Sequence, residues 1–206
     1  MDLSEKQIQI LQVAEKLFAE NGFDGTSIRR IAQVADVNVA MISYYFGSKE
    51  KMLAALLYHR NVDFGAEASA LFARKLGYLE TVDALVAMVI RRVHANRRIY
   101  KILHFEYSNQ DRKLDFDQFI DQKKSNYKLI EDFIHSGQEA GVFSKDLNIP
   151  LIYPTILGTY FNFYYNKRFY LALYEHDLEG SADNFVKDVL TPHIQKTLKA
   201  LLTYEA

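Results

Sequence analysis

The 206-residue sequence predicts an all-α protein in two parts, a three-helix helix-turn-helix domain over residues 1–60 and a larger helical domain over residues 61–206. Three observations predict this. Apolar residues recur three and four positions apart through most of the chain, the spacing of one helix face, and no stretch alternates as a strand would. Hydroxyl and Asx residues stand ahead of these stretches and glycines stand behind them, as helix caps do. Between residues 26 and 49 two short periodic segments are joined by only a few residues, the layout of two helices at a tight angle.

The first helix is expected from about Ser4 to Asn21, with Ile10, Leu11, Ala14, Leu17 and Phe18 as its buried stripe and Gly22 as its stop. Thr26 is expected to cap the second helix, whose apolar face is Ile28, Ile31, Ala32 and Ala35. Asp36 tolerates the left-handed conformation that a helix C-terminus needs, Val37 plugs the turn, and Asn38 caps a third helix. In that helix Ile42 and Phe46, four apart, point inward. At about 100° per residue, Ala40 and Tyr44 then face away, flanked by Met41 and Ser43. Gly47 ends it, and Ser48 opens a fourth helix in which Met52, Leu53, Leu56 and Leu57 face the core as far as His59-Arg60.

The body continues as helices. A weak one spans 66–74, closed by Gly77, and Thr81 caps the next, which carries Val82, Leu85, Val86, Val89, Ile90 and Val93. Asn96 restarts a short helix with Ile99, Ile102, Leu103 and Phe105. A polar loop from Ser108 to Leu114 leads to a long helix with Phe116, Phe119, Ile120, Tyr127, Ile130 and Ile134, ending between Gly137 and Gly141. Asn148-Ile149-Pro150 starts a strongly aromatic helix reaching about Tyr174, and the last helix runs from Ser181 to about Thr203. Pro154 and Pro192 are expected to kink or interrupt these two, because proline lacks a donor and clashes one turn back.

The outer face of the third helix carries small residues and hydroxyl aromatics instead of the Glu/Lys mixture of a merely solvated helix. Two readings stand on residues alone: an ordinary pair of packed helices, or a recognition helix short enough for a DNA major groove. The first sixty residues resemble the DNA-binding domain of the tetracycline-repressor (TetR) family of bacterial transcription regulators. The resemblance rests on Ile10-Leu11, Ala14, Leu17-Phe18, Gly22-Phe23, Thr26-Ser27, Ile31-Ala32, Val37, Tyr44-Tyr45-Phe46 and Ser48-Lys49-Glu50, at the family's spacing without gaps. Asp36 stands where the family usually has glycine, Arg30 where an acidic residue is common, and Ser43 where tyrosine is frequent, so a relative's operator sequence does not carry over. The resemblance implies phosphate contacts from Thr26, Ser27, Arg29, Tyr45 and Lys49. It implies base-edge contacts from Val39, Ala40, Met41, Ser43 and Tyr44, with Arg30 open to either role.

Composition narrows the alternatives. Almost half of the residues are hydrophobic, enough for a sizeable core, and the formal net charge is −1, so no bulk positive field draws nucleic acid. Residues 1–60 carry seven Lys/Arg and seven Asp/Glu, while 25–49 hold Arg29, Arg30 and Lys49 against Asp36 alone. The absence of cysteine excludes disulfides, thiol sensing and cysteine zinc sites. No apolar run approaches ~20 residues and the first residues lack a signal-peptide layout, so a soluble cytoplasmic protein without membrane contact is expected. The six histidines form no HExxH or i, i+4 pair, and no phosphate-cradling glycine loop or nucleophile elbow is present, so neither enzyme, cofactor nor metal is expected.

The densest aromatic stretch is 160–165 with Phe169, Tyr170 and Tyr174. Aromatics at consecutive positions cover every side of a helix, so it is expected to be buried or nearly so. One reading makes it core plus subunit interface, another makes one face the lining of an apolar pocket. By resemblance, the body is a ligand-binding and dimerisation domain that pairs through its last two long helices. Its effector pocket is then sought among His94, Tyr100, His104, Phe105, Tyr127, Ile130, Tyr160, Phe161 and Tyr164, with His104 the leading polar candidate because it is an imidazole set in sequence amid Leu103, Phe105 and Tyr107. The expected protein is a homodimeric transcription regulator, a repressor released from an inverted-repeat, double-stranded operator by a small apolar or aromatic ligand. A DNA-binding adaptor governed by a protein partner, and an activator, are the alternatives.

Overall fold

The computed structural model describes residues 3–108, 117–174 and 181–204, and among them every regular element is helical. The helices are α1 (Glu5–Asn21), α2 (Ile28–Ala35), α3 (Val39–Phe46), α4 (Lys49–Asn61), α5 (Phe64–Phe72), α6 (Tyr78–Ala95), α7 (Arg97–Ser108) and α8 (Asp117–Glu139). A 3₁₀ turn (Ile149–Leu151) then leads into α9 (Ile152–Tyr165), followed by α10 (Lys167–Leu173), α11 (Ser181–Phe185), a π-helical segment (Val186–Leu190) and α12 (Thr191–Thr203). Packing divides the chain into two compact units, Met1–Gly65 with Val93–Asn126, and Ala66–Arg92 with Tyr127–Ala206.

Local chemistry sets the ends of the helices in the first unit. Ser4 and Gln7 form a reciprocal capping box at the start of α1, and Gly22 closes it at φ 75°. Asp36 ends α2 in the left-handed region at φ 52°, and both its N–H and that of Val37 reach the Ala32 carbonyl. Asn38 caps α3 through Ala40 N–H at 2.8 Å, and Ser48 caps α4 through Lys51 N–H at 3.2 Å. The core joins Ile10, Leu11, Ala14, Leu17 and Phe18 of α1 to Ile31, Ile42, Phe46, Met52, Leu53, Leu56 and Leu57. Ile99, Ile102 and Leu103 of α7 and Phe119 of α8 belong to the same core. A partly buried ion pair ties α1 to the last turn of α4: Arg60 Nε and Nη2 donate to Glu15 Oε2 at 2.8 and 2.5 Å.

In the second unit the chain turns back after α8 because Gly137 leaves room for the Phe143 ring, which a Cβ would strike. Phe143 then joins Phe133, Tyr78 and Phe72 in an aromatic cluster with centroids 5.1–5.9 Å apart. Ser144 N–H to the Leu202 carbonyl at 2.7 Å fastens this corner to α12. Lys199 holds Asp83 Oδ2 at 2.7 Å, bringing α12 to α6.

Several expected boundaries are corrected. Ser27, not Thr26, caps α2, accepting from Arg30 N–H at 3.1 Å. Helix α6 begins at Tyr78, so Thr81 lies in its first turn, and α5 stops before Lys75, which takes φ 53° ahead of Gly77. Pro154 makes no kink, since it falls in the first turn of α9, where its missing N–H would have had no partner. The aromatic helix breaks instead at Asn166, whose N–H is shared by the Asn162 and Phe163 carbonyls. Pro192 does disturb its helix: the turn before it widens into the π segment, where the Val186 carbonyl accepts from both the Thr191 N–H and, at 2.7 Å, the Thr191 hydroxyl. The expected loop beyond Ser108, and Phe116, lie outside the described residues.

Candidate nucleic-acid interface and effector site

Helix α3 is only eight residues long and has one wet side. Ile42 and Phe46 are buried at 1% and 7% exposure, and Tyr44 on the opposite side is 85% exposed. Val39, Ala40 and Ser43 share that exposed side, while Met41 and Tyr45 are half-buried at its edges. The Tyr45 ring rests edge-on against both Tyr44 and Phe46, at 5.5 and 6.3 Å, which leaves its hydroxyl at the rim of the helix. The N-terminus of α2 lies outside the core as well. Ser27, Arg29 and Arg30 are exposed, and Arg30 Nη1 donates to Gln33 Oε1 at 2.8 Å. Gln33 and Val34 are also exposed on α2, three and four positions after Arg30.

Two of the eleven interface candidates face elsewhere. The Thr26 side chain is 1% exposed, and its hydroxyl donates to the carbonyls of Gly22 at 2.8 Å and Leu17 at 3.1 Å. It satisfies the end of α1 and has no surface to offer. Lys49 turns its ammonium back onto the Phe23 and Thr26 carbonyls, at 2.9 and 3.1 Å.

The nine effector candidates divide between the two units. His94, Tyr100, His104 and Phe105 belong to the first. Helix α7 spends its buried side on Ile99, Ile102 and Leu103, so His104 and Phe105 come out on the exposed side, Phe105 at 52% exposure with the Lys101 ammonium 5.9 Å from its ring. The expectation that His104 sits among apolar neighbours is therefore corrected. Tyr127, Ile130, Tyr160, Phe161 and Tyr164 belong to the second unit. There Tyr160 is fully buried, with the half-buried Phe161 at 5.1 Å and Tyr164 stacked at 6.0 Å. Tyr127, half-buried on α8, donates to Glu131 Oε1 at 3.0 Å, and burial together with that bond pushes its phenol above the usual range. A shallow pocket of about 420 Å³ in the first unit is lined by Tyr58, Gln118, Asp121, Gln122 and Ser125, and holds none of the nine.

Within a single chain the aromatic stretch is only partly buried. Tyr160 and Phe163 are core, with Phe163 stacked on Phe185 at 4.6 Å, but Tyr165, Phe169, Leu173 and Tyr174 are each at least half exposed.

A short capped helix with a solvent-facing, hydroxyl-bearing side, set at a tight turn from its predecessor, defines a helix-turn-helix protein. Residues 10–56 match the family described as bacterial regulatory proteins, tetR family, and residues 79–184 match the tetracyclin repressor-like C-terminal domain. The chain belongs to the TetR family, and its members are regulators of transcription. It is 28% identical over 195 residues to the HTH-type transcriptional repressor NicS of Pseudomonas putida, covering 87% of this chain and 88% of that one. It is 27% identical over 165 residues to the HTH-type transcriptional repressor KstR2 of Mycobacterium tuberculosis, covering 76% and 78%. The fold is shared with the transcriptional regulator FadR of Bacillus subtilis, solved in complex with stearoyl-CoA, at a TM-score of 0.73 and 18% identity over 97% of this chain and 99% of that one. Among the described residues no helix is long and apolar enough to cross a membrane.

Proposed function

We propose that the chain acts in the cytoplasm as a homodimeric repressor that leaves an inverted-repeat operator when a small, mainly apolar ligand binds. The observation that carries this reading is the α3 face, an 85% exposed Tyr44 beside Val39, Ala40 and Ser43 on a helix whose other side is locked into the core. Tyr44 and Ser43 offer hydrogen bonds to base edges, and Val39, Ala40 and Met41 offer apolar contact to thymine methyls. Ser27, Arg29 and Tyr45 lie at the rim and serve phosphates, with Arg30 and Gln33 beside them. Residues 1–60 carry this reading head, and residues 61–206 carry effector binding and pairing.

Two features support the effector and the dimer. Phe161 and Tyr164 present half-buried rings beside the buried Tyr160, and the FadR relative is solved with a long acyl chain, which such rings suit. Leu151, Tyr165, Phe169, Leu173 and Tyr174 leave an apolar, aromatic surface along α9 and α10 that a second subunit would cover. Selection of bound duplexes from random DNA, with and without a metabolite extract, tests the whole reading. Enrichment of an inverted repeat with half-sites ~34–36 Å apart, lost in the presence of extract, is expected. Failure to enrich any duplex, or full-strength binding by a demonstrated monomer, refutes it.

A further inference from the structure

The geometry points to Lys49 as a positioning residue for DNA binding, one that fixes the entry of α2 from the inside instead of contacting a phosphate. The inference rests on the reading of α2 and α3 as the DNA-binding pair. Lys49 is the first residue of α4, where a cation is disfavoured by the positive end of the helix dipole, so something else must hold it there. Three partners do. Its ammonium donates to the Phe23 carbonyl at 2.9 Å and the Thr26 carbonyl at 3.1 Å, and lies 4.2 Å from the centroid of the Phe23 ring. Those carbonyls belong to the corner between α1 and α2, outside both helices, where the Phe23 carbonyl also accepts from the Thr26 N–H at 3.2 Å.

The corner is held from two sides. The Thr26 hydroxyl bonds to the Gly22 and Leu17 carbonyls from the α1 side, and Lys49 clamps the Phe23 and Thr26 carbonyls from the α4 side. Phe23 is 5% exposed and packs on Phe18 at 5.2 Å, so the platform under the ammonium is itself fixed in the core. Ser27 and Arg29 follow Thr26 directly. Their direction, and so the register of any phosphate they hold, is set by where this corner sits. A charge committed to two carbonyls and a ring face has one N–H left and a stem turned inward, a poor arrangement for reaching a backbone phosphate. Of the three cations between residues 25 and 49, Lys49 is thus used for geometry, which leaves Arg29 and Arg30 exposed at the start of α2.

The test separates positioning from phosphate contact through salt dependence. Binding is measured for the intact protein on a duplex that it selected from a random-sequence library, over a range of salt concentrations. Each lost phosphate contact lowers the slope of log affinity against log salt by about 0.9. Lys49→Met is expected to weaken binding roughly tenfold or more at every salt concentration with an unchanged slope, and to lower the melting temperature. Arg29→Met, offered as a true phosphate contact, is expected to lose about 0.9 of slope with an unchanged melting temperature. Phe23→Leu, which keeps every charge but removes the ring under the ammonium, should weaken binding severalfold with the slope intact, and it serves if Lys49→Met does not fold. A slope loss near 0.9 for Lys49→Met, or undiminished affinity in either Lys49→Met or Phe23→Leu, overturns the assignment. If the wild-type chain selects no duplex, the DNA-binding reading fails first, and the role falls with it.

Discussion

The Glu15–Arg60 pair offers a quantitative test of how the first unit is held together. Glu15 exposes 7% of its side chain and Arg60 30%, and two charge-assisted bonds converge on the single oxygen Oε2. Arg60→Met keeps most of the aliphatic stem but leaves a nearly buried carboxylate without its cation. Removing one partner of a buried pair costs about 3–5 kcal/mol. Because the guanidinium is partly wet, the low end applies, about 3 kcal/mol, a large share of the ~5–15 kcal/mol available to a folded domain. Glu15→Gln retains an acceptor and lets the wet guanidinium turn to water, so about 1–1.5 kcal/mol is expected. Replacing both, as Glu15→Leu with Arg60→Met, removes the stranded charge and should recover most of the loss, since an intact pair adds little over well-packed apolar groups. Native-state amide hydrogen exchange on the full-length chain reports this locally. Amides of α1 and α4 that exchange by global opening should do so roughly 100-fold faster in Arg60→Met, at about 1.4 kcal/mol per tenfold. A loss below ~1 kcal/mol in Arg60→Met, or a double variant no more stable than Arg60→Met, would refute the reasoning.

Three further outcomes are expected. Tyr45→Phe should weaken binding to all sequences about equally, by ~1.5–3 kcal/mol for a bond to a charged acceptor, whereas Tyr44→Ala should change the preferred bases while leaving stability within ~0.5 kcal/mol. The reverse pattern in a selection experiment would mean that α3 is turned the other way. Phe163→Asp puts a charge where a 3% exposed ring stacks on Phe185, so loss of folding measured by circular dichroism is expected, while the 61% exposed Phe169→Asp should yield a folded monomer in sedimentation. A folded, monomeric Phe163→Asp would place that ring at the partner surface and contradict its burial. An effector that shifts operator affinity 5–150-fold must, by reciprocity, bind the operator complex weaker by the same factor, which corresponds to ~1–3 kcal/mol of coupling. Equal ligand affinities for the free protein and the complex would exclude induction by that ligand.

What could be read from the sequence, and what could not, divides along the range of the interactions. The Asn38 and Ser48 caps, the left-handed Asp36 and the inward Ile42–Phe46 edge involve residues within five positions of one another, so spacing alone reveals them. The two prolines show the first limit. Both stand in aromatic or apolar helical patterns, yet Pro154 is harmless and Pro192 opens a π turn, and the difference is only how many turns of helix precede each. That number depends on where the 3₁₀ turn before α9 hands over, which propensity does not resolve. His104 and Phe105 show the second limit. A three-and-four pattern on α7 can be satisfied by more than one stripe, and the choice of Ile99, Ile102 and Leu103 is made by the core of α1 and α4, distant in sequence. Thr26 and Lys49 show both together. A threonine before a helix and a lysine at the start of one are read as a cap and a surface cation, because those are their local options. Here the hydroxyl reaches back nine residues to Leu17 and the ammonium 26 to Phe23, contacts that exist only once α1, α2 and α4 have met. Thr26 and Lys49, candidates by position, are thus engaged by the fold itself, whereas Tyr44, 85% exposed on the far side of α3 from the core, is legible from helical spacing alone.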